Sequence, residues 1–176
     1  LKIFTPLTLR FQDFQRLPMK DIVAILDAMH YDNIQTYIQS GNVIFQGKDK
    51  VSEKTSDEIA KLVLENKGFE PKVLLLSLGE LKSAVADNPF ATDNGKELHF
   101  FFLESQPHEP NIEQLESIKA KSEEFIQVNK VFYLYAPDGI GRSKLAASVE
   151  KTLGVPITVR NWNTVSALIS MAEKTQ

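Results

Sequence analysis

Residues 36–45, which read TYIQSGNVIF, form the clearest hairpin signal in the chain. Two short β-prone runs, Gln35 to Gln39 and Asn42 to Gln46, flank the pair Ser40-Gly41. Glycine supplies the positive φ that a tight turn between antiparallel strands needs. The spacing therefore predicts a β-hairpin that turns at Ser40-Gly41.

The segments on either side of this hairpin complete a β-α-β-β-α-β order. Upstream, Ile3 to Leu9 predicts a strand, and a helix follows with Pro18 in its first turn and apolar residues at helical spacing. Downstream, a helix from about Ser52 to Gly68 precedes the apolar run Val73 to Leu76, which predicts a buried strand. This order is the split βαβ, or ferredoxin-like, pattern.

The second half of the chain repeats that order of elements. The predicted elements are a strand at Leu98–Leu103, a helix at Asn111–Lys121, paired strands at Phe125–Val128 and Val131–Tyr135, a helix at Ser143–Leu153, a strand at Ile157–Val159 and a closing helix at Asn163–Glu173. We therefore predict an α+β protein of tandem ferredoxin-like halves with antiparallel sheets and an extra C-terminal helix. The predicted boundaries are 1–77 for the first half, 78–96 for a connecting helix and loop, and 97–176 for the second half.

Composition narrows the class of protein. Apolar residues make up 43% and charged residues 24% of the 176, which is typical of a globular chain. With 20 Lys and Arg against 23 Asp and Glu, the net charge of −3 argues against a protein that coats nucleic acid. Cysteine is absent, so disulfides, iron–sulfur clusters and thiol catalysis are excluded. No apolar run approaches the roughly 18 residues that span a bilayer, and the start lacks a signal-peptide layout, so we expect a cytoplasmic protein with no membrane association.

The known catalytic signatures are missing from the sequence. His30, His99 and His108 lie in different predicted elements and lack the spacing of metal ligands. Neither the Gly-x-Ser-x-Gly elbow of hydrolases nor the spacing of a phosphate-binding P-loop occurs. The sequence thus predicts no metal and no cofactor, and it leaves open whether the protein is an enzyme, what its substrate is and which oligomer it forms.

The best candidate site lies in the second half. In a β-α-β-β-α-β unit, the loop before the second helix and the end of the fourth strand emerge at the same end of the sheet, so residues 141–144 and 160–163 should be neighbours. A helix start offers unpaired N–H groups to an anion, and basic and amide side chains add to that attraction. We therefore predict a phosphate, nucleotide or carboxylate ligand bound by Arg142, Ser143, Lys144, Arg160, Asn161 and Asn163. In the alternative interpretation, Ser143 and Asn163 are helix N-caps and the basic residues are solvated.

Two further hypotheses remain open. At the first hairpin, Ser40 and Asn42 are candidate ligand-binding residues, although such residues also close turns through their own side chains. Connectivity places the segment Arg10–Arg16 beside them. As an alternative function, an RNA- or protein-binding module would use a sheet face, because Tyr133 and Tyr135 share one side of a strand. Trp162 is more typical of a packing anchor than of a stacking platform.

Two stretches resemble a known family. Residues 36–45 are similar to the signature hairpin, and residues 159–165 (VRNWNTV) to the closing motif, of the bacterial domain-of-unknown-function family number 1697. Residues 17–19 and 138–145 also fit its layout. The resemblance implies a pair of ferredoxin-like halves and no established activity. Relatives carry a glycine-rich segment, Arg-Gly-Ile-Asn-Val-Gly-Gly, between the first strand and helix, whereas residues 7–16 here read LTLRFQDFQR. A third hypothesis follows, in which this chain has lost a ligand role of that loop.

Overall fold

A computed structural model describes residues 3–9, 17–37, 41–47 and 53–174 of the chain. Within these ranges the protein is α+β, with two four-stranded antiparallel sheets and a C-terminal helix, as the sequence predicts. The chain divides into two compact units, Leu1–Ser83 together with Ala167–Gln176, and Ala84–Ser166. No helix in the described ranges is both long enough and apolar enough to cross a membrane.

The sheet of the first unit contains β1 (Ile3–Leu9), β2 (Asp32–Tyr37), β3 (Asn42–Gly47) and β4 (Val73–Leu75) in the order β2-β3-β1-β4. All neighbours are antiparallel, and Thr8 of β1 stands opposite Asn42 of β3. Two helices accompany the sheet, α1 (Met19–Ala28) and α2 (Glu53–Lys67). Gly41 has a φ of 73°, which is the left-handed conformation that the predicted hairpin turn requires.

The core of the first unit follows from the apolar spacing of its helices. The buried residues of this core are Leu17, Ile22, Ile25, Leu26, Val43, Phe45, Ile59, Val63 and Phe69. Every residue of β3 is buried, so both faces of this central strand are covered. An ion pair of 2.6 Å between Asp21 Oδ2 and Lys67 Nζ joins α1 to the end of α2.

In the sequence, the polar pair Asp32-Asn33 predicts the end of the first helix; this prediction is wrong, since α1 ends at Ala28 and β2 already begins at Asp32. His30 and Asn33 adopt positive φ angles of 61° and 53°, so the chain reverses immediately after the helix. The strand pairing is irregular between Asp32 and Gln35, where Asn33 Nδ2 donates to Gln46 Oε1 at 2.5 Å. Left-handed non-glycine residues are uncommon, so the apolar pattern alone does not reveal this early turn.

The second unit contains β5 (Leu98–Leu103), β6 (Glu124–Val128), β7 (Val131–Tyr135) and β8 (Ile157–Asn161) in the order β6-β7-β5-β8, again antiparallel throughout. The remaining helices are α3 (Leu78–Ala86), α4 (Ile112–Ile118), α5 (Lys144–Leu153) and α6 (Trp162–Lys174). A single 3₁₀ turn, Ile140–Arg142, precedes α5.

Two element boundaries differ from the prediction. The helix α4 is shorter than residues 111–121, because Asn111 caps its start and Lys119 is extended with φ −65° and ψ 143°. The strand β8 continues past Val159 to Asn161, because Arg160 and Asn161 pair with Phe100 and His99 of β5. Pairing with a distant strand is not visible in the local sequence, and it decides where β8 ends.

Both faces of the central strands of the second sheet are buried. On one face, Phe101, Phe132 and Leu134 pack with apolar residues of α4 and α5. On the other, Phe100, Phe102 and Tyr133 are at most 3% exposed. The Tyr133 hydroxyl donates to the Ala84 carbonyl oxygen at 2.8 Å, and burial raises the pKa of Tyr133 to about 12.

Candidate functional site

The two predicted segments of the second half lie at one end of its sheet. Leu98 pairs with Tyr135 of β7 and His99 pairs with Asn161 of β8, so the ends of both strands flank the start of β5. Because β5 lies between them, the two strand ends are about 10 Å apart, which is two interstrand spacings. We call this region, residues 94–99, 136–144 and 160–163, the β5-start site.

The loop 136–143 presents the start of α5. Gly139 adopts a φ of 93°, a conformation that L side chains rarely take, and its N–H donates to the Ala136 carbonyl oxygen at 3.0 Å. After the 3₁₀ turn, Ser143 is buried and its Oγ accepts from the Ala146 N–H at 2.9 Å. The alternative interpretation of Ser143 as a helix N-cap is therefore correct, and the capping bond occupies its hydroxyl oxygen.

The first turn of α5 retains the chemistry of an anion site. In an α-helix the N–H groups of the first residues have no intrahelical acceptor, and here Ser143 serves the third of them. The N–H groups of Lys144 and Leu145 therefore point out of the helix start. Arg142 and Lys144 are both exposed beside this turn. A helix N-terminus with two exposed cations attracts a negatively charged group.

The residues at the end of β8 have structural roles. Asn161 Oδ1 accepts from the Thr164 N–H at 3.0 Å and so caps α6. The predicted cap Asn163 is wrong, because α6 begins at Trp162 and Asn163 lies inside the first turn with an exposed side chain. The difference arises because β8 runs two residues further than its apolar pattern indicates.

Arg160 is half-buried rather than solvated. Its position on β8 is opposite Phe100, and its Nη1 donates to the Val159 carbonyl oxygen at 2.6 Å. Burial lowers the pKa of Arg160 to about 10, so the guanidinium is still a cation at neutral pH. The protein itself holds this side chain, which makes Arg160 a weaker candidate for direct ligand contact than Arg142.

Trp162 is packed within the second unit. Its ring stacks on that of Phe100 with centroids 6.1 Å apart. The buried Gly95 approaches it so closely that an added Cβ would lie 2.6 Å from Trp162 Cδ1 and would overlap the Asn163 amide. Trp162 is thus a packing anchor that orients the start of α6.

Sequence reasoning missed a hydrogen-bonded group at the start of β5. Glu97 accepts from Asn94 Nδ2 at 2.6 Å and from the Tyr135 hydroxyl at 2.9 Å, and its carbonyl oxygen accepts from the Ala136 N–H at 2.8 Å. The bond to this carboxylate raises the pKa of Tyr135. His99 is buried with its Nδ1 3.2 Å from the Glu97 carbonyl oxygen, and burial lowers the pKa of His99. The one sequence signal for this group is the position of Glu97 directly before a predicted strand.

The described residues do not support base stacking or a metal site. Tyr133, one of the two tyrosines proposed as a stacking surface, is fully buried, and Tyr135 is half-buried with its hydroxyl on Glu97. Across the described ranges, no group of three or more His, Asp and Glu side chains is placed to hold a metal ion.

The first-half candidates are only partly described. Asn42 is fully buried at the start of β3. The pairing of Thr8 with Asn42 puts the end of β1 beside the hairpin end of β3, as the connectivity predicts. Ser40 and the segment 10–16 lie outside the described residues.

Comparison with known proteins gives a family and a fold. A family model described as "Protein of unknown function (DUF1697)" matches residues 13–133. Among solved structures, the conserved bacterial protein SP0830 from Streptococcus pneumoniae matches with a TM-score of 0.67 and 20% sequence identity, over 98% of this chain and 99% of that chain. At this identity the likeness shows a shared fold. No curated protein matches the chain.

Proposed function

This chain belongs to the DUF1697 family of proteins of unknown function, and we propose that it binds a small anionic ligand, such as a phosphate or a nucleotide, at the first turn of α5. The observation that carries the proposal is the exposure of Arg142 and Lys144 on either side of the Ser143 cap. Backbone N–H groups and two cations are then available at the same helix start, which suits a phosphoryl or carboxylate oxygen.

The charges around the site favour a small ligand over a polyanion. Asp138, which accepts from Ser122 Oγ at 2.6 Å, and Glu97 belong to the same end of the sheet. Together with the net charge of −3, these carboxylates repel an extended nucleic-acid backbone. A single phosphate group contacts only the first turn of α5 and avoids most of that repulsion.

The other predicted residues support the site in this proposal. Ser143 and Asn161 fix the starts of α5 and α6 through their caps, and Arg160 is held by its own strand. Asn163 is exposed and is the remaining amide among the residues predicted for the site in the second half. The proposal draws on no residue of the segment 10–16, where relatives carry the glycine-rich loop.

We also propose that each of the two sheets, with its helices, forms one of two tandem ferredoxin-like halves. The strand orders β2-β3-β1-β4 and β6-β7-β5-β8, each antiparallel throughout, support this classification. In both, the first strand lies between the third and the fourth, as a split βαβ unit requires. We place the halves at residues 1–77 and 97–176, joined by α3 and the loop after it.

A thermal-shift screen followed by calorimetric titration tests the binding proposal. The purified protein is screened against inorganic phosphate, nucleoside phosphates and sugar phosphates. A ligand at one hundred times its dissociation constant stabilises the folded state by about 2.7 kcal/mol, a shift that is readily measured. We expect Arg142→Ala and Lys144→Ala to abolish most of the shift.

The matched control is Lys151→Ala. Lys151 is exposed in the last turn of the same helix, so this variant makes the same chemical change at the opposite end of α5. It should keep the full ligand-induced shift. Equal ligand-induced shifts in all three variants would show that the ligand does not bind at the start of α5. No shift with any phosphorylated compound would refute the proposed function.

A further inference from the structure

The strand β6 is an outer strand of the second sheet without the usual protection. In the described part of the chain, four strands lie at sheet edges: β2, β4, β6 and β8. Three of them have a feature that disfavours pairing with another chain. The pairing of β2 with β3 is irregular, β4 is only three residues long, and β8 carries Arg160 and continues directly into α6. Lys, Pro or a bulge normally keeps an outer strand from pairing with another chain. The sequence of β6, EFIQV, contains neither residue, and its pairing with β7 is regular.

Two side chains of β6 are unfavourably placed in a single chain. Ile126 is 41% exposed, and among the large apolar residues of the described part only Leu64, at 43%, is more exposed. Gln127 Oε1 is buried without a hydrogen-bond partner among the described residues, while its Nε2 donates to the Asn129 carbonyl oxygen at 3.3 Å. An unsatisfied buried oxygen costs free energy, about 1–3 kcal/mol. Both defects lie on the same short strand.

We propose that β6 pairs antiparallel with β6 of a second copy of this chain, with the two-fold axis at Gln127. A two-fold axis perpendicular to a sheet keeps each side chain on its own face. Directly opposed residues lie on the same face of the sheet. The axis must therefore pass midway between the two copies of one residue, so that this residue lies opposite its own counterpart. The possible centres near the middle of β6 are therefore Phe125, Ile126 and Gln127.

Charge and polarity select Gln127 as the centre. In that register Ile126 lies opposite Val128 of the second copy, which covers the exposed side chain. In the single chain the exposed Lys130, in the hairpin turn after β6, donates from Nζ to the Glu104 carbonyl oxygen at 3.4 Å; on pairing it exchanges this contact for the exposed Glu124 of the second copy, and the exchange occurs twice. The two Gln127 amides face each other, so each Oε1 gains a donor after a side-chain rotation. Centres at Phe125 or Ile126 instead place Glu124 opposite an apolar residue.

The result is a continuous eight-stranded sheet across two copies, in the order β8-β5-β7-β6-β6-β7-β5-β8. The contact involves one five-residue strand from each copy, so its buried area falls in the low class, below about 1,200 Å². The association is accordingly weak and concentration-dependent. None of the residues proposed for anion binding takes part in it.

So small a contact predicts weak dimerisation. The association is therefore measured by sedimentation velocity at protein concentrations up to about 0.5 mM. We expect a monomer–dimer equilibrium that Ile126→Lys weakens by about tenfold or more, the effect of losing roughly 1.4 kcal/mol. The matched control is Leu64→Lys on α2, where the replaced residue is 43% exposed, and this variant should dimerise normally. Glu124→Lys and Lys130→Glu should each weaken the dimer, and the charge-swapped double variant should restore it. A chain that stays monomeric, or a dimer insensitive to these changes, would overturn the proposal.

Cysteine cross-linking tests the register directly, because the chain has no cysteine of its own. Opposed residues in an antiparallel pair have Cα atoms about 4.5–5.5 Å apart, a distance that a disulfide spans. Gln127→Cys should therefore form a covalent dimer quickly under mild oxidation, and faster than Ile126→Cys. Leu64→Cys gives the rate for random encounters. If Gln127→Cys cross-links no faster than Leu64→Cys, the strands do not meet at Gln127.

Discussion

Replacing Gly95 by alanine should destabilise the β5-start site through Trp162. Gly95 is buried, and a Cβ there would lie 2.6 Å from Trp162 Cδ1. Ordinary contacts between carbon atoms are about 3.5–4.0 Å. The ring of Trp162 and the backbone at residue 95 must therefore move apart by roughly 1 Å. The Asn163 amide, which the Cβ would also overlap, is exposed and can rotate away. The ring of Trp162 stacks on the fully buried Phe100 and cannot yield so easily.

The magnitude follows from the cost of overpacking. Forcing an extra carbon into a filled space typically costs about 1–3 kcal/mol. With a urea m-value of about 2 kcal/mol/M, a loss of about 2 kcal/mol lowers the unfolding midpoint by about 1 M. Trp162 is the only tryptophan, so its fluorescence reports on this contact. A changed emission spectrum of the folded variant should accompany the shift in midpoint.

The control variant is Gly141→Ala, because a Cβ at Gly141 meets no atom within 4 Å. It should change the free energy of unfolding by less than about 0.5 kcal/mol. A second comparison places Gly95→Ala in a Trp162→Leu background and follows unfolding by circular dichroism. If the ring is the obstacle, the alanine costs less there. An unchanged cost in that background, or a Gly95→Ala midpoint equal to that of Gly141→Ala, would show that the Trp162 ring does not oppose a side chain at residue 95.

Three further predictions concern hydrogen bonds and protonation. Ser143→Ala should lower the free energy of unfolding by about 1 kcal/mol in urea titrations because the α5 cap is lost, whereas Ser148→Ala, within the same helix, should have a smaller effect. Tyr133→Phe should cost about 1–2 kcal/mol because it leaves the buried Ala84 carbonyl oxygen unpaired, and Tyr135→Phe should cost less because Tyr135 is only half-buried, as parallel thermal melts would show. Burial lowers the pKa of His99 from 6.5, so the unfolded chain binds more protons just below that pH and stability should fall as the pH drops below 6.5. Urea unfolding between about pH 5 and 7.5 should show part of this slope missing in His99→Gln but present in His108→Gln, a change at an exposed histidine.

The order of elements could be read from the sequence because it depends on local patterns. The hairpin at Gly41, the second turn at Asn129-Lys130 and the apolar stripe of α1 are each encoded within a few residues, and the structure confirms them. The boundaries failed where distant pairing decided them. Residues 160–161 extend β8 only because β5 stands beside them.

The candidate site was predictable in part for the same reason. Connectivity alone predicts that residues 141–144 and 160–163 emerge at one end of a sheet, and the registers of β7 and β8 against β5 agree. The roles of individual side chains were not predictable. Whether Ser143, Asn161 or Asn163 caps a helix depends on the residue at which that helix begins. A small shift of the helix start gives the cap to a different side chain.

Composition and short-range periodicity are enough to give the α+β class, the two hairpins and the absence of thiol chemistry. Four other features depend on the folded chain: Tyr133 is buried, Arg160 is held by its own strand, Glu97 contacts Tyr135, and β6 forms an unprotected edge. Burial and edge position depend on which strands lie side by side. Which strands become neighbours is determined by contacts between residues that are far apart in the chain.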